Sequence, residues 1–213
     1  MLTKLPTPRV PFVSSTRPFS EGWASVPFHP FRSTLLTELN VAPAQLHPNS
    51  WAFVRAFTIL CCHLGLTPSV DVFLYFFEAK DSGKKLWVSL NGVVGRVLLT
   101  LFQQSYKGFK KNFFKVRCNC KDPSLLDRFP LYWTEKPNLR RVRHFEDLSA
   151  LERGVCELLS GFAAPLSTLE LLKREYNPED LDSYIGTLPF CPSFSCILVL
   201  FVVDLLLLHR YAL

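Results

Sequence analysis

Residues 49–77 read NSWAFVRAFTILCCHLGLTPSVDVFLYFF, and this stretch decides the fold. Asn49 or Ser50 caps a helix over residues 51–64, and Gly65 supplies the left-handed residue that stops it. Trp51, Val54 and Cys61 share one stripe of that helix, with Phe53, Phe57, Leu60 and Leu64 beside it, a face wide enough to be buried. Thr67 then caps a second helix that carries Pro68 in its first turn, where a missing N–H costs little. Val70, Phe73, Leu74 and Phe77 form its core face, so the two helices make a tight hairpin about residues 65–68.

Working outward towards the N-terminus, Pro6, Pro8, Pro11, Pro18, Pro27 and Pro30 keep any helix or central strand from running through that segment. It reads as an extended arm over residues 1–32, followed by a short helix over 33–40 capped by Ser33 or Thr34. No continuous apolar run suggests a secretory signal, and the prolines argue against an amphipathic transit helix. Towards the C-terminus, residues 80–85 form a turn and residues 86–90 a short strand closed by Asn91-Gly92. Residues 97–102 are ambiguous between strand and helix, and residues 112–118 alternate as a strand does. A small two- or three-stranded sheet against the first helix pair follows from this.

Beyond Pro130 and Pro137 the pattern turns helical again. Leu148, Leu151, Val155, Leu158 and Phe162 recur at helical spacing, Ser167 and Glu170 form a capping box, and residues 177–180 (NPED) begin a last helix with acids in its first turn. The expected class is α+β, mainly helical, with a hydrophobic C-terminal helix added. The expected divisions are an arm over 1–32, a domain over 33–140, an acidic helical segment over 141–186 and an apolar tail over 187–213.

Charge is distributed unevenly. The chain of 213 residues carries 24 Lys and Arg against 18 Asp and Glu. Residues 84–143 hold 14 basic and 3 acidic side chains, whereas residues 144–186 hold 3 and 9. Either the basic block faces a polyanion or the two segments neutralise each other within the fold. Within the block, Tyr106, Phe109 and Phe113 interleave with Lys107, Lys110, Lys111, Lys115, Arg117 and Lys121. Cations neutralise phosphates and aromatic faces stack on unpaired bases, so the mixture suits single-stranded nucleic acid. The plainer alternative is a half-buried strand whose outer face is solvated by lysines. A second cluster, Arg140, Arg141, Arg143 and His144, is either a phosphate contact or a solvated linker.

Seven cysteines at uneven spacing, Cys61, Cys62, Cys118, Cys120, Cys156, Cys191 and Cys196, read as free thiols of a reducing compartment, cytoplasmic or nuclear. Cys118-x-Cys120 and Cys61-Cys62-His63 lack the paired spacing of a structural zinc site, so no metal and no cofactor is expected. No nucleophile elbow, zinc-protease motif or phosphate-cradling glycine loop occurs. Asp122, Asp127 and Glu135 lie close together near prolines, a poor match to the spaced carboxylates of a two-metal polynucleotidyl transferase. A non-enzymatic role is expected.

Residues 188–208 form a run of 21 with Asp204 as the one charge, followed by His209-Arg210. Its length suits a bilayer span, although Pro189 and Pro192 confine regular helix to about residue 193 onward. A membrane anchor, a buried terminal helix and a tail translated from non-coding sequence remain as readings of it.

Five motifs occur in one order: residues 46–53 (LHPNSWAF), 86–90 (LWVSL), 105–110 (SYKGFK), 112–116 (NFFKV) and 129–134 (FPLYWT). Together they resemble the gypsy-type plant transposon domain over about residues 33–137. The resemblance implies a mobile-element origin, a plant source and a Gag-like position, and brings no catalytic residues. The partners expected are therefore single-stranded nucleic acid, a second copy of the chain, and a membrane if the tail is an anchor.

Overall fold

The computed structural model describes residues 30–81, 87–102, 129–130, 132–139 and 142–186. Helix α1 spans Pro30–Leu39 and starts earlier than the expected Ser33. Pro30 suits a first helical turn because its fixed φ is already helical. The Ser33 and Thr37 hydroxyls do not cap; they donate back to the carbonyls of Pro30 and Ser33, each at 2.9 Å. Asn40, at φ +50, ends the helix in the left-handed region, and the Val41 N–H reaches the Leu36 carbonyl at 3.0 Å.

Helix α2 spans Pro48–His63. Its cap is His47, whose Nδ1 accepts the Asn49 N–H at 3.2 Å, and not Asn49 or Ser50. Pro48 beside it is the signal for this earlier start. The expected stop holds. Gly65 sits at φ +68, with Gly65 N–H bonded to the Cys62 carbonyl and Leu66 N–H to that of Cys61, a Schellman closure. A side chain at Gly65 would be strained there.

Helix α3, Val70–Phe76, begins after Ser69 and is shorter than its apolar face suggested. Phe77 leaves the helix and opens strand β1, Phe77–Asp81, which pairs antiparallel with β2, Val88–Gly92. The register runs from Phe77 opposite Gly92 to Asp81 opposite Val88. Asn91-Gly92 is thus ladder and not turn. The ladder runs on through Val93 N–H to the Phe76 carbonyl at 2.8 Å, and the chain turns three residues past Gly92 at Gly95, φ +84, where Arg96 N–H meets the Val93 carbonyl at 3.1 Å. Ser50, fully buried in the first turn of α2, accepts the Leu90 N–H at 2.8 Å and so fixes β2 on α2. The expected strand over 112–118 lies outside the described residues.

The core between these elements is aromatic. Phe73 stacks on Phe77 at 4.5 Å between ring centroids and meets Phe57 edge-on at 5.2 Å, while Phe53 and Phe31 close the cluster. Offset and edge-on rings add about 0.5–1.5 kcal/mol per pair to the apolar burial.

Residues 98–100 are extended and bridge to Leu166: Leu166 N–H donates to the Leu98 carbonyl and Thr100 N–H to that of Leu166, both at 2.8 Å. Helix α4, Ala150–Ser160, is capped by Ser149 in a box with Glu152. Its buried residues are Cys156 and Leu159, preceded by Leu148; Leu151, expected inward, is 71% exposed. The core stripe is therefore rotated from the all-leucine reading towards a cysteine that the reading omitted. Helix α5 spans Thr168–Lys173 and helix α6 Pro178–Gly186. Ser167 caps α5 as expected, but its own N–H goes to the Tyr184 hydroxyl at 3.2 Å, while Glu170 turns to Lys173 and Arg174. α2 packs on α5 and α3 on α4. The buried apolar residues of 31–99 and of 148–185 form one continuous cluster.

Candidate functional site

The residues expected to contact nucleic acid, Tyr106, Lys107, Phe109, Lys110, Lys111, Phe113, Lys115, Arg117 and Lys121, lie outside the described residues. What is described is how the chain enters and leaves that stretch. It enters through residues 98–100, held to Leu166, and Phe102, which packs against the core. It leaves through Phe129, also against the core, and residues 132–139.

That exit is fastened by a polar seam. Gln45, fully buried, donates to the Thr134 carbonyl at 2.9 Å and accepts the Thr134 N–H at 3.1 Å. The same Gln45 oxygen accepts the Ala42 N–H at 3.3 Å. The Thr134 hydroxyl donates to the Asn40 carbonyl at 2.5 Å, and Asn40 returns its side-chain amide to the Lys136 carbonyl at 3.0 Å. Asn138 bonds the end of α1 twice, through its N–H to Leu39 and its amide to the Glu38 carbonyl, both at 2.8 Å. The buried Gln45 amide, with the half-buried amides of Asn40 and Asn138, specifies one register of the segment on α1.

Of the five motifs behind the family resemblance, the described residues of three meet along the same seam, and residues 105–110 and 112–116 lie outside the described residues. His47 N–H bonds the Val88 carbonyl, Ser50 holds Leu90, and Trp87 meets Trp133 edge-on at 4.8 Å. Residues 46–53, 87–90 and 132–134 thus share a structural role. Sequence reading had missed Gln45 and Asn138; isolated polar residues among apolar neighbours were the available sign.

Of the cations in the basic block, Arg96, Lys136 and Arg143 are described, and the fold uses two of them. Arg96 lies 4.2 Å over the Tyr75 ring. Arg143 donates from Nε to Asp71 at 2.5 Å and from Nη2 to Glu38 at 2.9 Å. The Asp71 carboxylate, seconded by Glu38, holds its guanidinium above the ordinary value. Arg143 is accordingly a tie between α1 and α3 and not part of a solvated linker. Among the described residues, no acid of 144–186 makes an ion pair with a cation of the basic block. Glu175 pairs with Arg55, Asp182 with His63 at 3.2 Å, and Asp180 with Arg174 at 3.4 Å. Behind the Ser69 and Ser149 hydrogen bonds, Arg143 nevertheless helps to hold the Glu152 carboxyl of the acidic segment below its ordinary value.

Cys61 and Cys156 are buried free thiols, and burial pushes each up to about 12. They are poor nucleophiles and poor ligands at neutral pH. Among the described residues, no group of three or more His, Cys, Asp or Glu side chains is placed to hold a metal ion. Asp122 and Asp127 lie outside those residues, and Glu135 is exposed beside the seam. No helix among the described residues is long and apolar enough to cross a membrane, and residues 188–208 lie outside them.

The described chain is a mainly helical α+β protein with a two-stranded sheet. The model of the family described as "Putative gypsy type transposon" matches residues 14–81, which include α1, α2, α3 and β1. That is 68 of 213 residues, and of the five motifs only residues 46–53 fall within it. The match supports a mobile-element origin for this part of the chain. No curated protein and no solved structure matches the chain.

Proposed function

We propose that the chain is a non-enzymatic, retroelement-derived module, Gag-like in role, that binds single-stranded nucleic acid through its basic aromatic block. The observation that carries this reading is the concentration of 14 basic side chains against 3 acidic ones within residues 84–143. Two further facts support it. Glu175, Asp180 and Asp182 of the acidic segment are engaged by Arg55, Arg174 and His63, none of which belongs to the basic block. Arg96 and Arg143 are held by the fold, so contact with phosphate falls to the lysines and Arg117 between the two fastened ends, with Tyr106, Phe109 and Phe113 as stacking faces.

The test is fluorescence anisotropy of a single-stranded RNA with the full chain over a salt series. Affinity falls steeply with salt, and Lys110→Ala/Lys111→Ala/Lys115→Ala reduces the log–log slope by about 2, at roughly 0.7 per lost contact. Absence of binding at low salt removes the nucleic-acid reading. If the triple variant instead changes only the sedimentation of the protein, the block is a self-assembly surface.

A further inference from the structure

Helix α4 carries an apolar flank that its own core does not take up. The helix turns Cys156 and Leu159 inward, and Val155 packs half-buried beside them. Leu151 is 71% exposed, and Leu158, two turns further along the same line of the helix, is only half-buried. Gly154 lies between the two leucines, three residues after the first and four before the second. A glycine inside a helix weakens it, and what it permits is the close approach of another backbone.

Two charges border this stripe on the Gly154 side. Arg153 and Glu157 stand one turn apart, and among the described residues neither side chain makes a hydrogen bond or an ion pair. Other acids of these helices are engaged: Glu152 by Ser69 and Ser149, and Glu170 by Lys173 and Arg174.

We propose that α4 is a self-association face on which two copies of the chain pair antiparallel through Leu151, Gly154 and Leu158. A two-fold axis passing between Gly154 and Val155 sets Leu151 opposite Leu158 of the second copy, with the glycines at the crossing. The same axis brings Arg153 level with Glu157 of the second copy, and this happens twice because the patch meets itself. A parallel pairing would set Arg153 against Arg153 and Glu157 against Glu157, like charges that repel. Charge therefore selects both the partner, a second copy, and its direction. The contact rests on one short helix, so the dimer is weak and reversible. It is separate from the basic block and does not depend on nucleic acid.

The full chain is followed by sedimentation velocity over a concentration series, where a reversible monomer–dimer equilibrium is expected. Leu151→Lys, at an exposed position, leaves the Tm unchanged and weakens association roughly tenfold. Arg153→Glu and Glu157→Arg each weaken it roughly fivefold, because each sets like charges together. Arg153→Glu/Glu157→Arg restores the association of the parent, since the pairs return with their signs exchanged. A chain that stays monomeric at every concentration overturns the proposal and leaves the face to a different protein. Association that Leu151→Lys does not weaken overturns it as well and places the contact elsewhere, in the basic block if Lys110→Ala/Lys111→Ala/Lys115→Ala abolishes it. A double charge variant no tighter than the single ones overturns the antiparallel pairing, and the proposal with it.

Discussion

Ser50 shows how much one hydroxyl can decide. Its Oγ is the acceptor for the Leu90 N–H inside the core, and no other described group bonds that amide. Ser50→Ala leaves the donor buried and unpaired, a cost of about 1–3 kcal/mol. Urea denaturation reads this as a lower midpoint with unchanged slope; an unchanged midpoint would mean that the strand re-pairs or water enters. Side chains differ in how far the sequence disclosed them. The lysine and aromatic run was conspicuous because charge and spacing can be read off any string. The burial of Arg32 in the first turn of α1 was not, because nothing in residues 30–39 says that this one arginine is turned inward. Burial is decided by what α1 packs against, and that is set by residues far along the chain.

At the scale of elements, Glu152 joins two helices. It accepts the Ser69 hydroxyl at 2.6 Å at the start of α3, and the Ser149 N–H and hydroxyl, at 3.1 and 2.7 Å, at the start of α4. The Ser69 hydroxyl, followed by those from Ser149, holds its carboxyl below the usual range. A depressed carboxylate stabilises fully above its unfolded pKa, and the contribution is lost as pH falls through the folded one. Glu152→Gln therefore costs about 1 kcal/mol at neutral pH, discounted for partial exposure, and progressively less on acidification. Urea midpoints of both proteins from neutral to acid pH check this; parallel curves would refute it. The helices themselves were largely legible. The stop at Gly65 follows from backbone freedom alone, and the start at Asn177-Pro178 from cap chemistry, so neither needed tertiary context. The strands were less so. Asn91-Gly92 has the composition of a tight turn, yet Gly92 lies in the ladder, where a Cβ would come within 3.2 Å of Val97. Close approach, not a turn, is what the glycine serves there, and approach is a property of the assembled fold. The α4 face was misjudged for the same reason: leucine spacing favoured Leu151, while packing against α3 selects Cys156.

For the whole molecule, the seam of Gln45, Thr134, Asn138 and Arg143 matters less for how stable the chain is than for when it becomes so. Its bonds join residues 72 to 105 positions apart, whereas the ring contacts among Phe53, Phe57, Phe73 and Phe77 join residues 4 to 24 positions apart. Closing so long a stretch costs chain entropy before any contact rewards it. The aromatic cluster of Phe53, Phe57, Phe73 and Phe77 can form within about one helical hairpin, so it is the natural nucleus, and the seam zips afterwards. Contacts absent from the transition state govern the unfolding rate alone. Gln45→Ala should accordingly accelerate unfolding roughly fivefold or more while refolding from urea keeps its rate, given about 1–3 kcal/mol for the backbone groups left unpaired. Stopped-flow fluorescence separates the two limbs, and a slowed refolding limb would place the seam in the nucleus instead. The polar seam is then a latch on the lifetime of the native state: it determines how long residues 103–128 stay bracketed once the helices have assembled.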